Sequence, residues 1–408
     1  MSPPVRIVRL AAGGDGIGKL PDGRTVFVPR SAPGDLVELS DIREHRRFAR
    51  ARISRVVEPS PSRVEPRCPH YLADECGGCQ LQHLEDAAQR EARRSFVGDA
   101  LRRLAKRQVA DPEIVPAPRS YDYRTKLTLA VGVGGRPIGL HPFDRAAQVF
   151  ELVWCHITVP ELMHLWQAAR GLHSLFPKGA DQIVLRLDRN GGRHLVFRVP
   201  HSQAWRGAPR LLAELERRGV PATIWWHPKE GAARALAGAS EPFPATVFEQ
   251  VHPEMGDQVR RFAIEQLGAA PGRRVWDLYA GIGESTSALL TLGAEVESVE
   301  SDTRAVAEAT SRGPAARRHA AKVEDVLGEL RRPDLVLTNP PRTGMDSRVT
   351  AALERHAPER IVYVSCDPAT LARDIVRLPS YTISLIRAFD LFPQTAHVET
   401  VVTLRRAS

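Results

Sequence analysis

A chain of 408 residues exceeds what one hydrophobic core usually organises, and 43% hydrophobic with 26% charged residues at a mean hydropathy of −0.26 excludes a disordered or fibrous protein. No apolar run approaches the roughly 20 residues that span a bilayer, and the first stretch, residues 1–20, lacks the pattern of a secretory signal, so a cytoplasmic protein with no membrane partner is expected. The net charge of +9 points to a polyanionic partner, with one cluster at Arg43, Arg46, Arg47, Arg50, Arg52 and Arg55 and a second at Arg90, Arg93, Arg94, Arg102, Arg103, Lys106 and Arg107; a solvated arginine-rich face is the alternative.

From the N-terminus, short apolar runs alternate with Gly/Pro turns: VRIVRL, GGDGIGKLPDG, TVFVP, SAPGD, LVELSDI and FARARISRVV. Strands at this spacing predict a small β-barrel over residues 1–57. The segment VEPSPSRVEPR, with Pro59, Pro61 and Pro66, reads as its exit linker. A cysteine-rich stretch leads into a predicted helix from about Glu85 to Lys106, with Val97, Ala100, Leu101 and Leu104 on one face. From Tyr123 to about Trp226 hairpin signals recur, around Gly134-Gly135 and around Asn190-Gly191-Gly192, interrupted by one helix from Pro160 to Phe176. They predict an antiparallel α+β central module over 58–244 with no catalytic motif of its own. Over 245–408 the rhythm changes: RRVWDLY, AEVESVE, HAAKV, DLVLTNP and RIVYVSC are strands separated by helices, and YTISLIRAFD and HVETVVTLR close the chain. Apolar strands alternating with helices predict a doubly wound, mostly parallel α/β sheet, which binds ligands beyond the carboxyl ends of its strands.

Five cysteines stand at 68, 76, 79, 155 and 366, an odd number with no export signal, so structural disulfides explain them poorly. Cys68, Cys76 and Cys79 lie together in CPHYLADECGGCQ, a spacing suited to a metal or a cluster. DLYAGIGE, Asp277 to Glu284, follows the first strand of the α/β sheet, and Gly281 and Gly283 let its backbone approach a ligand. The third glycine of the dinucleotide pattern is absent, and Glu300 ends the next strand about 20 residues on, where a carboxylate accepts from ribose hydroxyls. Together they fit an adenosyl cofactor such as S-adenosylmethionine. TNPPRTG, Thr338 to Gly344, overlies the same crevice; Asn339 offers a donor and an acceptor to a base edge, and Arg342 stands where exocyclic-amine methyltransferases carry an aromatic ring. VSCDPATLARD puts Cys366 at a strand end before Pro368 opens a helix, a place where the helix N-terminus is expected to lower a thiol's pKa. FPQTAHVE adds His397 and Glu399, expected on one face of the last strand. A soft nucleophile and a carboxylate base are what methylation of a pyrimidine at C5 demands.

On these motifs the chain resembles the uracil-C5 RNA methyltransferase family, particularly its bacterial 23S rRNA members with a TRAM domain and a 4Fe-4S cluster, over essentially its whole length. The resemblance implies an OB-like TRAM barrel, an α+β module carrying the iron–sulfur segment, and a Rossmann-like α/β methyltransferase domain. It implies Cys366 as nucleophile toward uracil C6 and Glu399 as the base that removes the C5 proton. Phe248, Glu249 and Gln250 look like the cofactor-contacting loop, as do Tyr279, Gly281, Gly283, Glu284, Glu300 and Asn339. Cys68, Cys76, Cys79 and Cys155 match the cluster ligands, with structural zinc as the alternative. The expected partner is RNA, bound by a monomer: 23S rRNA foremost, with tRNA and a non-catalytic RNA-binding or assembly role as alternatives. Four departures from the family pattern stand out: Asn339 in place of Asp, Glu284 in place of Asn or a small residue, His252 in place of Asn, and a seven-residue first cysteine gap.

Overall fold

Short β-branched runs at the N-terminus and long apolar strands at the C-terminus build separate cores. The computed structural model describes residues 3–201, 205–239, 249–313 and 316–407. Phe248 and the expected domain boundary at 244/245 lie outside the described residues. The chain divides into two compact units, one drawn from Met1–Gln89, Arg119–Thr246 and Pro393–Ala396, the other from Arg90–Pro118, Val247–Phe392 and His397–Ser408.

In the first unit, β1 (Val5–Arg6), β2 (Arg9–Leu10), β3 (Gly16–Lys19), β4 (Thr25–Val28), β5 (Leu36–Glu44) and β6 (Phe48–Glu58) form a six-stranded sheet in the order β1-β5-β6-β4-β3-β2. Its two edges are successive pieces of one chain stretch. Between them Ile7 N–H donates to Asp35 O and Val8 N–H to Ile17 O, so residues 5–10 satisfy backbone groups on both sides. Val5, Ile7, Val26, Val28, Val37 and Ala49 fill the interior. At the tip of the β5–β6 hairpin, Arg43, His45, Arg46 and Arg47 are exposed, and His45 stacks on Phe48 with ring centroids 4.5 Å apart.

After α1 (Pro69–Ala73), α2 (Asp86–Arg103) and β7 (Glu113–Val115), the first unit resumes with a seven-stranded sheet. Its elements are β8 (Lys126–Val131), β9 (Ile138–Leu140), β10 (Phe150–Glu151), α3 (Pro160–Arg170), β11 (Gln182–Leu187), β12 (Arg193–Val199), α4 (Ala208–Arg217), β13 (Thr223–Pro228) and β14 (Arg234–Ala237). The expected hairpins are present, β8 pairing with β9 and β11 with β12. The pairing is otherwise antiparallel except for β12 with β13, which α4 joins as a parallel crossover. Leu162, Leu165 and Trp166 of α3 pack on Ile183, Leu185, Leu195 and Phe197.

The second unit continues with α5 (Pro253–Leu267), β15 (Arg274–Leu278), α6 (Glu284–Thr291), β16 (Glu295–Glu300), α7 (Thr303–Arg312), β17 (Arg317–Ala320), α8 (Val323–Val326), β18 (Leu335–Thr338), α9 (Ser347–His356), β19 (Arg360–Ser365), α10 (Pro368–Val376), β20 (Tyr381–Phe389) and β21 (Glu399–Arg406). The eight-stranded order is β17-β16-β15-β18-β19-β21-β20-β7, with β17 to β19 parallel and β21 antiparallel to both neighbours. One sheet face is covered by Val97 and Leu101 of α2 with Val349, Leu353, Leu371 and Ile375. The other is covered by Met255, Val259, Ala263 and Leu267 of α5. Both faces are therefore dry, which explains strands without polar alternation.

Three expectations are corrected. Helix α2 ends at Arg103, so Leu104 falls beyond it and is 53% exposed. His397 precedes β21 and is exposed, since the strand begins only at Glu399. The second basic cluster is largely committed to internal partners: Arg102 pairs with Asp99 and Asp111, Arg107 donates to Tyr381 O, and Arg93, 1% exposed, pairs with Asp390 at 2.9 Å. Among the described residues no helix is long and apolar enough to cross a membrane.

The Arg93–Asp390 pair ties α2 to the end of β20 in a desolvated site, where removing one partner strands the other charge. Asp390→Ala is expected to lower stability by about 3–5 kcal/mol, whereas Arg93→Met with Asp390→Leu recovers most of the loss. Denaturant unfolding of the three proteins checks this, and equal losses in the single and double variants would contradict it.

Candidate active site

Register places the reactive pair. Strands β19 and β21 run antiparallel with Ser365 opposite Thr400, so one step further Cys366 faces Glu399 at the carboxyl end of β19. Cys366 is half-buried, while Glu399 is 2% exposed and its Oε2 has no hydrogen-bond partner among the described residues. Burial pushes the Glu399 carboxyl up to about 8, against a pull from Arg342. Burial, and next the Glu399 carboxylate, push the Cys366 thiol up to about 11, opposed by the charge and a hydrogen bond of Arg342. Burial thus outweighs the lowering expected from the helix N-terminus, and the cap adds to it. Asp367 caps α10, its Oδ1 accepting from the N–H groups of Ala369 and Thr370 at 2.9 Å each, and its charge adds to the upward push.

Arg342 is delivered by the loop after β18, and that loop is clamped to the helix behind Cys366. Asp374 of α10, fully buried, accepts from Met345 N–H at 2.7 Å and from the Tyr363 hydroxyl at 2.8 Å, and Arg373 donates to Thr343 O at 2.7 Å. The loop also brings Arg342 Nη2 within 3.4 Å of His397 Nε2. One cation thus serves both the thiol and the carboxylate.

A cavity of about 110 Å³ opens beyond the ends of β15 and β18. Gln250, Tyr279, Gly281, Glu284 and Asn339 line it, with Arg260, Asp277 and Val364. Leu278 O accepts from Asn339 N–H, which sets the loop after β18 beside the turn after β15. Tyr279 adopts a left-handed φ of 62°, a strained conformation at the mouth of the cavity. Gly283, at φ 78°, is the N-cap of α6 and could not carry a side chain, because a Cβ there would lie 2.9 Å from that of Ala309. Glu300 holds the turn from the neighbouring strand: its Oε2 accepts from Gly281 N–H at 2.9 Å and its Oε1 from Asp302 N–H at 2.8 Å. Asp277 is buried, which pushes its carboxyl up to about 6, and Ser285 and Thr286 hydroxyls donate to its Oδ2. Gln250 packs against Gly256, where a Cβ would strike it at 2.8 Å. His252 is the buried N-cap residue of α5.

A second cavity, of about 170 Å³ and confined to the first unit, is lined by Cys68, Cys76, Cys79 and Cys155 with His70, Arg124, Trp154 and His156. Burial raises the thiols of Cys68, Cys76 and Cys79, and in all three the nearby Cys155 raises them further. Among the described residues no three His, Cys, Asp or Glu side chains close on a single ion.

Helix α5, and with it Arg260, was absent from the sequence expectations, as were Asp277 and the shared role of Arg342. The signals for α5 were present: Pro253 at its start, Gly268 in the left-handed C-cap, and Met255, Val259, Ala263 and Leu267 at four-residue spacing.

A family model described as tRNA (Uracil-5-)-methyltransferase matches residues 294–407. A 23S rRNA (uracil(1939)-C(5))-methyltransferase RlmD from Thiobacillus denitrificans is 32% identical, with all of both chains covered. The enzyme of the same name from Aromatoleum aromaticum is 33% identical, covering 94% of this chain and 95% of its own. An uncharacterized RNA methyltransferase from Gloeobacter violaceus is 34% identical over 99% of this chain and 96% of its own. The crystal structure of Pyrococcus abyssi tRNA (uracil-54, C5)-methyltransferase with S-adenosyl-L-homocysteine shares the fold, at a TM-score of 0.72 and 24% identity over 98% of this chain and 99% of that one. By motif, fold and full-length similarity, the chain belongs to the RNA (uracil-C5) methyltransferase family.

Proposed function

We propose that this protein methylates C5 of a uridine in 23S rRNA through a covalent adduct between Cys366 and uracil C6. The observation that carries the reading is a buried carboxylate with an unsatisfied oxygen, Glu399, facing a half-buried thiol, Cys366, at a strand end. Such a carboxylate costs stability, and a catalytic role is a reason for a fold to keep it. The choice of 23S rRNA rests on relatives that carry that name, those from Thiobacillus denitrificans and Aromatoleum aromaticum among them.

S-adenosylmethionine, when bound, supplies an electrophilic methyl group, and the cavity beside Tyr279, Gly281, Glu284 and Asn339 suits it, with Gln250 on its wall. Glu300 and Gly283 shape the turn from behind, and the Glu300 carboxylate keeps lone pairs for ribose hydroxyls. The chain's own work falls to the pair and its cation. The Cys366 thiol gives up its proton to water, its sulfur bonds as the thiolate to C6 of an unstacked uracil, and the C5–C6 π electrons move toward O4, making C5 nucleophilic. Arg342, hydrogen-bonded to the thiol, favours its thiolate. Once C5 carries a methyl group, Glu399 takes the C5 proton, the electrons restore the C5–C6 double bond, and the thiolate leaves.

The three expected parts take distinct roles in this reading. The N-terminal sheet is a TRAM-like barrel, supported by exposed Arg43, Arg46 and Arg47 beside the stacked His45 and Phe48, a pattern suited to phosphate and base contacts. The residues of 58–244 present the four cysteines. A 4Fe-4S cluster fits them better than one zinc ion, because each iron takes one thiolate and the ligands need not converge on a point. The residues of 245–408 hold the catalytic pair.

Cys366→Ala is expected to slow methyl transfer by roughly a thousandfold or more. Glu399→Gln is expected to slow turnover by about 10²–10⁴ and to accumulate a protein–RNA species that survives denaturing electrophoresis; a Cys366→Ala variant of near-normal rate would sink the covalent reading. Since Glu399 is a base only when unprotonated and burial pushes it up to about 8, and the Cys366 thiol must ionise as well, the single-turnover rate should fall at least about tenfold per pH unit below that value, and a flat profile from pH 6 to 8 would contradict the assignment. Iron and sulfide analysis of anaerobically purified protein should give about four of each per chain, dropping in Cys79→Ser; stoichiometric zinc instead would overturn the cluster.

A further inference from the structure

Arg260 is the one cation among the described residues lining the cofactor cavity, and it does not stand alone there. It projects from α5, its Nη1 donating to Glu284 Oε2 at 2.5 Å and its Nη2 to Asp257 Oδ1 at 2.6 Å. Glu284 is the first residue of α6, directly after the glycine turn, and both it and Arg260 are partly exposed, at 32% and 25%, on the cavity wall. The departure at Glu284 is thus answered by a partner from another helix. A guanidinium carries more N–H donors than two carboxylate contacts use, and a carboxylate accepts more than one hydrogen bond.

Resting on the cofactor reading above, we infer that Arg260 and Glu284 form a dipolar clamp for the amino-acid end of the cofactor, Arg260 donating to its α-carboxylate and Glu284 accepting from its α-ammonium. A zwitterion needs one positive and one negative partner side by side, and among the described residues lining this cavity Arg260 and Glu284 are opposite charges held against each other. The other acid in the turn, Asp277, is buried and engaged by two hydroxyls. Glu300, engaged with the backbone of the turn, is left to the sugar. Asp257 holds the guanidinium from its far side, so the clamp is oriented before the ligand arrives. Arg260, a cation that Glu284 shares with Asp257, offsets part of the charge that Glu284 would otherwise present to the ligand's carboxylate.

The test is calorimetric binding of the full chain to two probes that share the adenosyl end, S-adenosylhomocysteine with the amino-acid end and 5′-methylthioadenosine without it. Arg260→Gln and Glu284→Gln should each weaken S-adenosylhomocysteine by about ten- to a hundredfold, the effect of losing one charged hydrogen-bond partner, and leave 5′-methylthioadenosine within about twofold of the unaltered protein. Arg260→Lys, which keeps the charge but not the planar fork, should lie between; it also carries the test should Arg260→Gln fold poorly. Unchanged S-adenosylhomocysteine affinity in the Gln variants, or a parallel loss for both probes, would overturn the clamp. Failure of the unaltered protein to bind S-adenosylhomocysteine would instead overturn the cofactor reading on which the clamp rests.

Discussion

A carboxylate buried without a full set of partners is the constraint around which the second unit is organised. Glu399 sits on the central antiparallel strand β21, between β19 and β20, where water cannot reach it. Leaving a charge there is costly, and the protein meets the cost by holding the proton on, so that the carboxyl titrates near neutrality instead of far below it. The same desolvation keeps Cys366 a thiol in the absence of ligands. Both groups are thereby poised rather than spent. Among the described residues Arg342 pulls both back toward their charged forms, and its loop is tethered through Asp374 to the helix that follows Cys366.

That tether gives the site a definite mechanical logic. Tyr363 on β19 and Met345 on the loop share the buried carboxylate of Asp374 on α10, so the strand before Cys366, the helix after it and the Arg342 loop form a single hydrogen-bonded block. The cofactor cavity borders this block at Val364 and Asn339, and its far wall is the glycine turn and α5. Charge is handled differently in the two cavities. Around the cofactor, acids are matched by hydroxyls, backbone N–H groups or Arg260. Around the cysteine cavity, burial and then the neighbouring thiols raise Cys68, Cys76 and Cys79.

Much of the candidate site was legible in the sequence because it lies in short contiguous motifs. DLYAGIGE, TNPPRTG, VSCDP and HVE each sit at a strand end, and strand ends in a parallel sheet converge, so their residues could be grouped without knowing the strand order. What was not legible depends on contacts between distant segments. Arg260 means little until α5 is packed against α6, and β7, three residues long, becomes a strand only because β20 offers an edge. Arg93 looked like part of a basic surface, yet Asp390, nearly 300 positions away, draws it into the core. The thiol shift reversed sign chiefly because the fold buries Cys366 beside Glu399, and Asp367, whose capping of α10 only the backbone geometry reveals, adds to it.

Covalent catalysis by Cys366 is tested most directly with RNA carrying 5-fluorouridine, whose C5 fluorine cannot be removed by Glu399 as a proton can. Incubation with S-adenosylmethionine followed by proteolysis and mass spectrometry should yield the peptide containing Cys366 joined to a 5-fluoro-5-methyl nucleotide. Recovery of that peptide unmodified, under conditions where ordinary RNA is methylated, would contradict the mechanism.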